Sequence, residues 1–114
     1  MLTTKPGVRF AVISPALVHM LDVVERLSRT LDGLPDEGLV ITSGSDGRHM
    51  VGSRHYSGEA IDLRSKNLRP DVRARLLVAL RDELGEPFTV LLEDEDTPNV
   101  HLHIQVTKGR RFEG

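Results

Sequence analysis

The chain has 114 residues, 15 basic and 17 acidic side chains, and a formal net charge of -2 at pH 7. This length suits one domain with one modest core, and the balanced charge gives no bulk attraction to nucleic acid or to an anionic membrane. The chain contains no cysteine, which excludes a disulfide scaffold and a thiolate metal site. We therefore expect a single domain over residues 1–114, without a nucleic-acid partner, that binds any metal through nitrogen and oxygen.

The N-terminal sequence MLTTKPG lacks the charged start and apolar run of a signal peptide. No apolar stretch approaches the roughly 18 residues that a membrane-spanning helix needs. These features predict synthesis in the cytoplasm and no membrane insertion. A substrate outside the cytoplasm would then require delivery by another component.

The first half of the chain predicts one helix and one strand. Ser14 and Pro15 form a typical helix start, apolar residues follow at helical spacing, and Gly33 supplies a stop. Residues 39–42 are β-prone and lie between glycines, so we expect a short strand there. A loop over residues 43–53, rich in glycine, serine and aspartate, then leads into the segment SRHYSGEAID at residues 53–62.

The second half predicts strands at residues 60–63, 88–92 and 100–106 and a helix from Pro70 to a stop at Gly85. Because side chains alternate along a strand, His101 and His103 share the face opposite the apolar residues of the last strand. Asp62 likewise lies opposite two apolar neighbours. We expect an α+β fold in which two helices pack on one face of a small antiparallel sheet and the other face carries the chemistry.

Two segments offer a set of metal ligands. The first contributes His55 and Asp62, and the second, HLH, contributes His101 and His103. Imidazole and carboxylate groups suit zinc, and a catalytic zinc site usually has three protein ligands and one open position. From these residues alone, His101 is either a fourth ligand or a neighbour of the metal.

Taken together, the pattern SxHxxGxAxD and the later HxH resemble the zinc peptidases that include D-alanyl-D-alanine carboxypeptidases and phage L-alanyl-D-glutamate endopeptidases, whose fold is shared with the hedgehog signalling domain. The resemblance extends over about residues 41–106. It implies that His55, Asp62 and His103 bind Zn²⁺ while His101 stabilises developing charge. It also implies that Ser53 and Gly58 shape the turn, with the glycine letting the backbone pass close to the metal.

A hydrolytic zinc site also needs a base. Several members of this group have a glutamate three residues before the final histidine, where this chain has Val100. Other relatives end the preceding strand with the glutamate, which makes Glu93 the candidate base, with Glu95 or Asp96 as alternatives. Arg48 corresponds to an arginine that often helps to hold the substrate or the oxyanion, and Arg54 competes for this role.

The resulting hypothesis is a zinc metallopeptidase that hydrolyses an amide bond in the stem peptide of peptidoglycan, as a carboxypeptidase or an endopeptidase. The resemblance suggests a phage or prophage enzyme that acts at the cell wall after release or as a virion component, with the help of a partner protein. The alternative is a non-catalytic zinc-containing binding or virion-structural module on the same fold. The absence of a glutamate at Val100 keeps this alternative open.

Overall fold

The computed structural model describes residues 1–47, 49 and 52–114. Its elements, in chain order, are β1 (Leu2–Thr4), α1 (Pro15–Thr30), β2 (Leu39–Ser43), β3 (Ala60–Arg64), α2 (Pro70–Leu84), β4 (Phe88–Glu93) and β5 (His101–Val106). In this part of the chain, the helices are too short and too polar to cross a membrane. The fold is α+β, as the sequence predicts.

The five strands form one mixed sheet in the order β1-β2-β3-β5-β4. β1 runs parallel to β2, whereas every other neighbouring pair is antiparallel. The prediction of a purely antiparallel sheet is therefore wrong at this edge. The parallel pair is possible because α1 crosses over between the two strands. The strand β1 is only three residues long, too short for a recognisable alternating pattern.

Both predicted helix starts are confirmed. The Ser14 hydroxyl accepts a hydrogen bond from the Leu17 backbone N–H at 3.0 Å, and it donates one to the Gly58 carbonyl at 2.8 Å. The first of these caps α1 by satisfying an amide at the start of the helix. The second ties the start of α1 to the turn of the first histidine segment. The helix α2 begins at Pro70 and is followed by Gly85, as predicted.

The hydrophobic core lies between the helices and one face of the sheet. It includes Met20 and Leu27 of α1, Leu76 of α2, and Leu63 and Ile104 of the sheet. Because side chains alternate along a strand, the neighbours of these sheet residues point to the opposite face. That face carries the polar residues of β3, the end of β4 and β5, and it forms the candidate site.

Candidate metal centre

Three side chains meet at the centre of the polar face. Asp62 on β3 lies directly opposite His103 on β5, and His55 reaches them from the turn before β3. The Asp62 Oδ1 atom is 2.7 Å from His103 Nδ1 and 3.4 Å from His55 Nε2. Each residue offers one ligand atom, and these atoms all lie within 4.8 Å of one another. Both histidines are buried, at 3% and 9% exposure. This group could bind a metal ion.

The ring of His55 is oriented by the loop after β2. Its Nδ1 atom donates to the Gly44 carbonyl at 2.7 Å, which leaves the lone pair on Nε2 directed at Asp62. The ring of His49 stacks on His55, with centroids 4.0 Å apart and planes 10° from parallel. His49 in turn lies within hydrogen-bond distance of the Ser43 hydroxyl and the Asp46 carbonyl. The loop therefore fixes both the tautomer and the plane of His55.

The ring of His103 is oriented by Gln105, which follows it on the same face of β5. The Gln105 amide nitrogen donates to the Val106 carbonyl, so its oxygen is left to accept from His103 Nε2 at 2.8 Å. This arrangement puts the proton on Nε2 and the lone pair on Nδ1, which faces Asp62. The buried ligand thus has the second hydrogen bond that metal-binding histidines usually make.

The three converging atoms require a cation between them. Two imidazole lone pairs and a carboxylate oxygen are all acceptors, so either a proton or a metal ion must link them. Burial alone would raise the pKa of Asp62, but protonated imidazole rings that donate to its carboxylate outweigh burial, through their hydrogen bonds and charges, and hold the pKa well below its usual range. Burial lowers the pKa of His103, but Asp62 and Gln105 raise it above its usual value. The chemistry of the set fits Zn²⁺.

Replacing Gln105 with leucine is expected to weaken metal binding by about 10- to 100-fold, because His103 then loses the acceptor that fixes its tautomer. Gln105→Glu is the matched control, since a carboxylate still accepts from Nε2. Competition with a chromophoric zinc chelator would measure both affinities. Equal affinities for the leucine and glutamate variants would contradict the orienting role of Gln105.

Glu93 and His101 form a second pair beside this group. Glu93 ends β4 opposite His101 on β5, and its Oε1 atom is 3.1 Å from His101 Nε2 and 3.9 Å from His103 Nδ1. The Nδ1 atom of His101 donates to the Asn99 carbonyl at 2.8 Å. Burial lowers the pKa of His101, but the Asn99 carbonyl and the charges of Asp62 and Glu93 together raise it above its usual value. These contacts favour an imidazolium paired with a carboxylate.

His101 does not belong to the group formed by His55, Asp62 and His103. Its ring nitrogen forms a second close group with Asp62 and Glu93. A metal ion held by the first group would have three protein ligands, and sites of that kind usually keep one coordination position for water or substrate. Among the described residues, neither group of closely spaced ligand atoms includes Glu95 or Asp96, and both of these side chains are exposed. Of the three candidate bases, Glu93 is therefore the one that contacts both His101 and His103.

Neither Arg54 nor His19 is among the candidate ligands, and Arg48 is not described. Arg48 lies outside the described residues. The guanidinium of Arg54 is paired with Glu59 at 2.9 Å within the motif turn. His19 belongs to α1 and packs against the rings of Phe88 and Phe112, with its ring centroid 5.5 and 4.8 Å from theirs. His19 thus has a packing role.

Ser53 and Gly58 make different contacts in the turn before β3. The Ser53 hydroxyl accepts from the His55 backbone N–H at 3.2 Å, so it does shape the turn. Gly58 has a positive φ of 72°, and a Cβ atom there would lie 2.3 Å from the Val12 carbonyl oxygen. This close approach of the segment before α1 requires the glycine, and the role expected for it beside the metal stays a prediction.

An open groove contains the centre. Its volume is about 640 Å³, within the range of small-molecule sites, and the three ligands, Glu93 and His101 all line it. The two motifs SxHxxGxAxD and HxH include neither His49 nor Gln105, although both residues contact the candidate ligands. The signal for Gln105 was available, because it is the next residue on the face shared by the two histidines of β5. The stacking of His49 depends on a loop conformation that has no periodic signal.

The chain matches no protein-family model, no curated protein and no solved structure.

Proposed function

We propose that this protein is a zinc-dependent peptidase that hydrolyses an amide bond in the peptide part of peptidoglycan. The observation that carries the proposal is an open group of two histidines and one aspartate beside a glutamate–histidine pair. This is the minimum set for metal-assisted hydrolysis: three ligands, a base and a cationic group next to the reacting atoms. We also propose that the chain has the fold shared by these peptidases and the hedgehog signalling domain.

His55, Asp62 and His103 would hold the metal. Bound zinc supplies a Lewis acid that polarises a carbonyl group and makes a water molecule more acidic. Glu93 would accept the proton of the attacking water and pass it to the leaving nitrogen. His101 would offset the negative charge on the tetrahedral intermediate through its imidazolium, and Arg48 would supply a second cation.

The substrate class rests on the resemblance of SxHxxGxAxD and HxH to peptidoglycan peptidases and on the open groove. The groove is about 640 Å³ and reaches the surface, so an extended peptide can approach the metal from the side. Tyr56 and Leu91, at 44% and 43% exposure, offer apolar contacts near the ligands, since Leu91 lies opposite His103 in the sheet. The proposal includes delivery to the cell wall by a phage or virion partner.

The test is metal content and muropeptide hydrolysis on the same purified sample, with His103→Ala beside the wild type. We expect one zinc per chain and one defined cleaved bond, identified by mass spectrometry, with both lost in the variant. Far-UV circular dichroism of the variant controls for loss of the fold. Cleavage that persists without bound metal would refute the proposal.

A non-catalytic zinc module is the second candidate, because Val100 occupies the position where several related enzymes have a glutamate. The Val100 side chain is apolar and 8% exposed, so it offers no proton acceptor. Zinc binding without hydrolysis of any muropeptide would favour this candidate. The contact of Glu93 with His101 favours the enzyme, since it provides a carboxylate beside the metal ligands from another strand.

A further inference from the structure

A second cavity adjoins the metal centre. Its volume is about 280 Å³, and it shares His49, Asp62 and His101 with the groove. It extends from these residues toward β1, β2 and the turn before β5. A group bound here would therefore lie directly beside the reacting atoms of a substrate in the groove.

Three cationic side chains line this cavity. Arg64 follows Asp62 by two residues on the same face of β3 and lies opposite His101. Lys5 comes directly after β1, where its backbone N–H donates to the Ile41 carbonyl at 2.8 Å. Lys66 follows β3. Two segments of the chain thus bring three positive charges to one small space.

Most of this charge is not neutralised within the protein. Among residues 1–47, 49 and 52–114, no acidic side chain lies within ion-pair distance of Lys5 or Lys66, and Arg64 pairs only with Glu37 at 3.4 Å through one nitrogen. A guanidinium has five donors, so Arg64 retains several for a ligand. Asp62 is the single acidic residue among the described residues of the lining, and a bound metal would neutralise it. The hydroxyl groups of Thr42 and Ser43 add neutral donors.

We propose that this cavity binds a carboxylate of the substrate within one residue of the scissile bond. The inference rests on the proposed peptidase function and narrows its substrate to peptides that carry a free carboxylate at that place. Arginine and lysine recognise a carboxylate through charge-assisted hydrogen bonds, which are stronger than neutral ones. The carboxylate comes either from a peptide C-terminus or from an acidic side chain.

The experiment measures binding and does not depend on turnover. The protein is the zinc-loaded, ¹⁵N-labelled Glu93→Gln variant, in which the bound peptide stays intact. The first pair of probes is N-acetyl-D-alanyl-D-alanine and its C-terminal amide. The second pair is N-acetyl-L-alanyl-D-glutamate and N-acetyl-L-alanyl-D-glutamine, both as C-terminal amides, which differ only in the side-chain carboxylate. Chemical-shift titrations give each affinity and the location of binding.

We expect the acid of one pair to bind roughly tenfold more tightly than its neutral partner, with shifts at the amides of Thr42 and Asn99. The preference should fall to near unity when Lys5→Gln and Arg64→Gln are combined in this background. It should persist with Arg111→Gln, which removes one positive charge, as Lys5→Gln alone does, from a side chain that is 86% exposed and paired with Glu113. Lys5→Gln alone, which leaves the Glu37 contact intact, should reduce the preference partly.

Equal affinities within both pairs would overturn the inference, and so would an acid preference that survives the double variant. A preference lost equally with Arg111→Gln would also overturn it, because it would reflect only the overall charge. These outcomes are separate from the proposed function. If the protein hydrolyses muropeptides but shows no acid preference, only the carboxylate-binding role of the cavity is refuted. If the acid preference depends on Lys5 and Arg64 but the protein hydrolyses no muropeptide, only the peptidase function is refuted.

Discussion

Replacing Glu93 with glutamine is expected to lower kcat for muropeptide hydrolysis by about 10²- to 10⁴-fold, the usual contribution of a general base. The amide keeps the size of the side chain and its contact with His101 but cannot accept the proton of a water molecule. Zinc content should remain at one per chain, because Glu93 does not belong to the group of His55, Asp62 and His103 that we propose holds the metal. Steady-state kinetics and metal analysis on one sample would measure both quantities.

Glu95→Gln is the matched control for this prediction. Glu95 belongs to the same acidic turn but is exposed and, within the described part of the chain, outside both groups of closely spaced ligand atoms. Its kcat should stay within about twofold of the wild type, as expected for a surface substitution without a role in the reaction. If Glu95→Gln removes hydrolysis and Glu93→Gln does not, the base is Glu95 and the assignment of Glu93 is wrong.

The sequence predicts the strands and the helix around this site well, because the signals for these elements are local. The strand and helix bounds over residues 60–106 agree with the structure within two residues, since each element has a clear period and a glycine or proline within three residues of at least one end. Alternation along β3 and β5 puts Asp62 and His103 on one face. The register that places these two residues directly opposite each other depends on how β3 and β5 pair, and the alternation within each strand does not determine it.

The features that the sequence did not predict all depend on contacts between distant segments. The strand β1 forms because the Leu39 N–H donates to the Met1 carbonyl and Lys5 donates to that of Ile41. Gly44 lies where a Cβ atom would be 2.3 Å from the Arg9 carbonyl oxygen. This close packing aims the Gly44 carbonyl at His55. Such positions are set by tertiary packing, and no local propensity identifies them.

Replacing Asp62 with asparagine is expected to abolish the stabilisation that zinc gives to the wild-type protein. A ligand that binds only the folded state stabilises it by about 4 kcal/mol at a free concentration a thousand times Kd, which corresponds to roughly 10 to 20 °C in Tm for a chain of this size. The variant lacks the carboxylate that joins the two buried imidazoles, so its Tm should barely respond. Thermal unfolding with zinc and with a chelator would give both shifts.

Asp94→Asn is the control for the loss of a negative charge near the centre, since Asp94 Oδ2 is 4.0 Å from His101 and the residue is outside both ligand groups. It should keep the full zinc shift. The shift in the wild type should also shrink with decreasing pH, because protons compete with zinc for His103, whose pKa is raised by Asp62 against the effect of burial. Below that pKa the proton occupies the site, and above it zinc binds without competition. A zinc shift that is equal in wild type and Asp62→Asn, or that grows as the pH falls, would mean that the metal binds elsewhere.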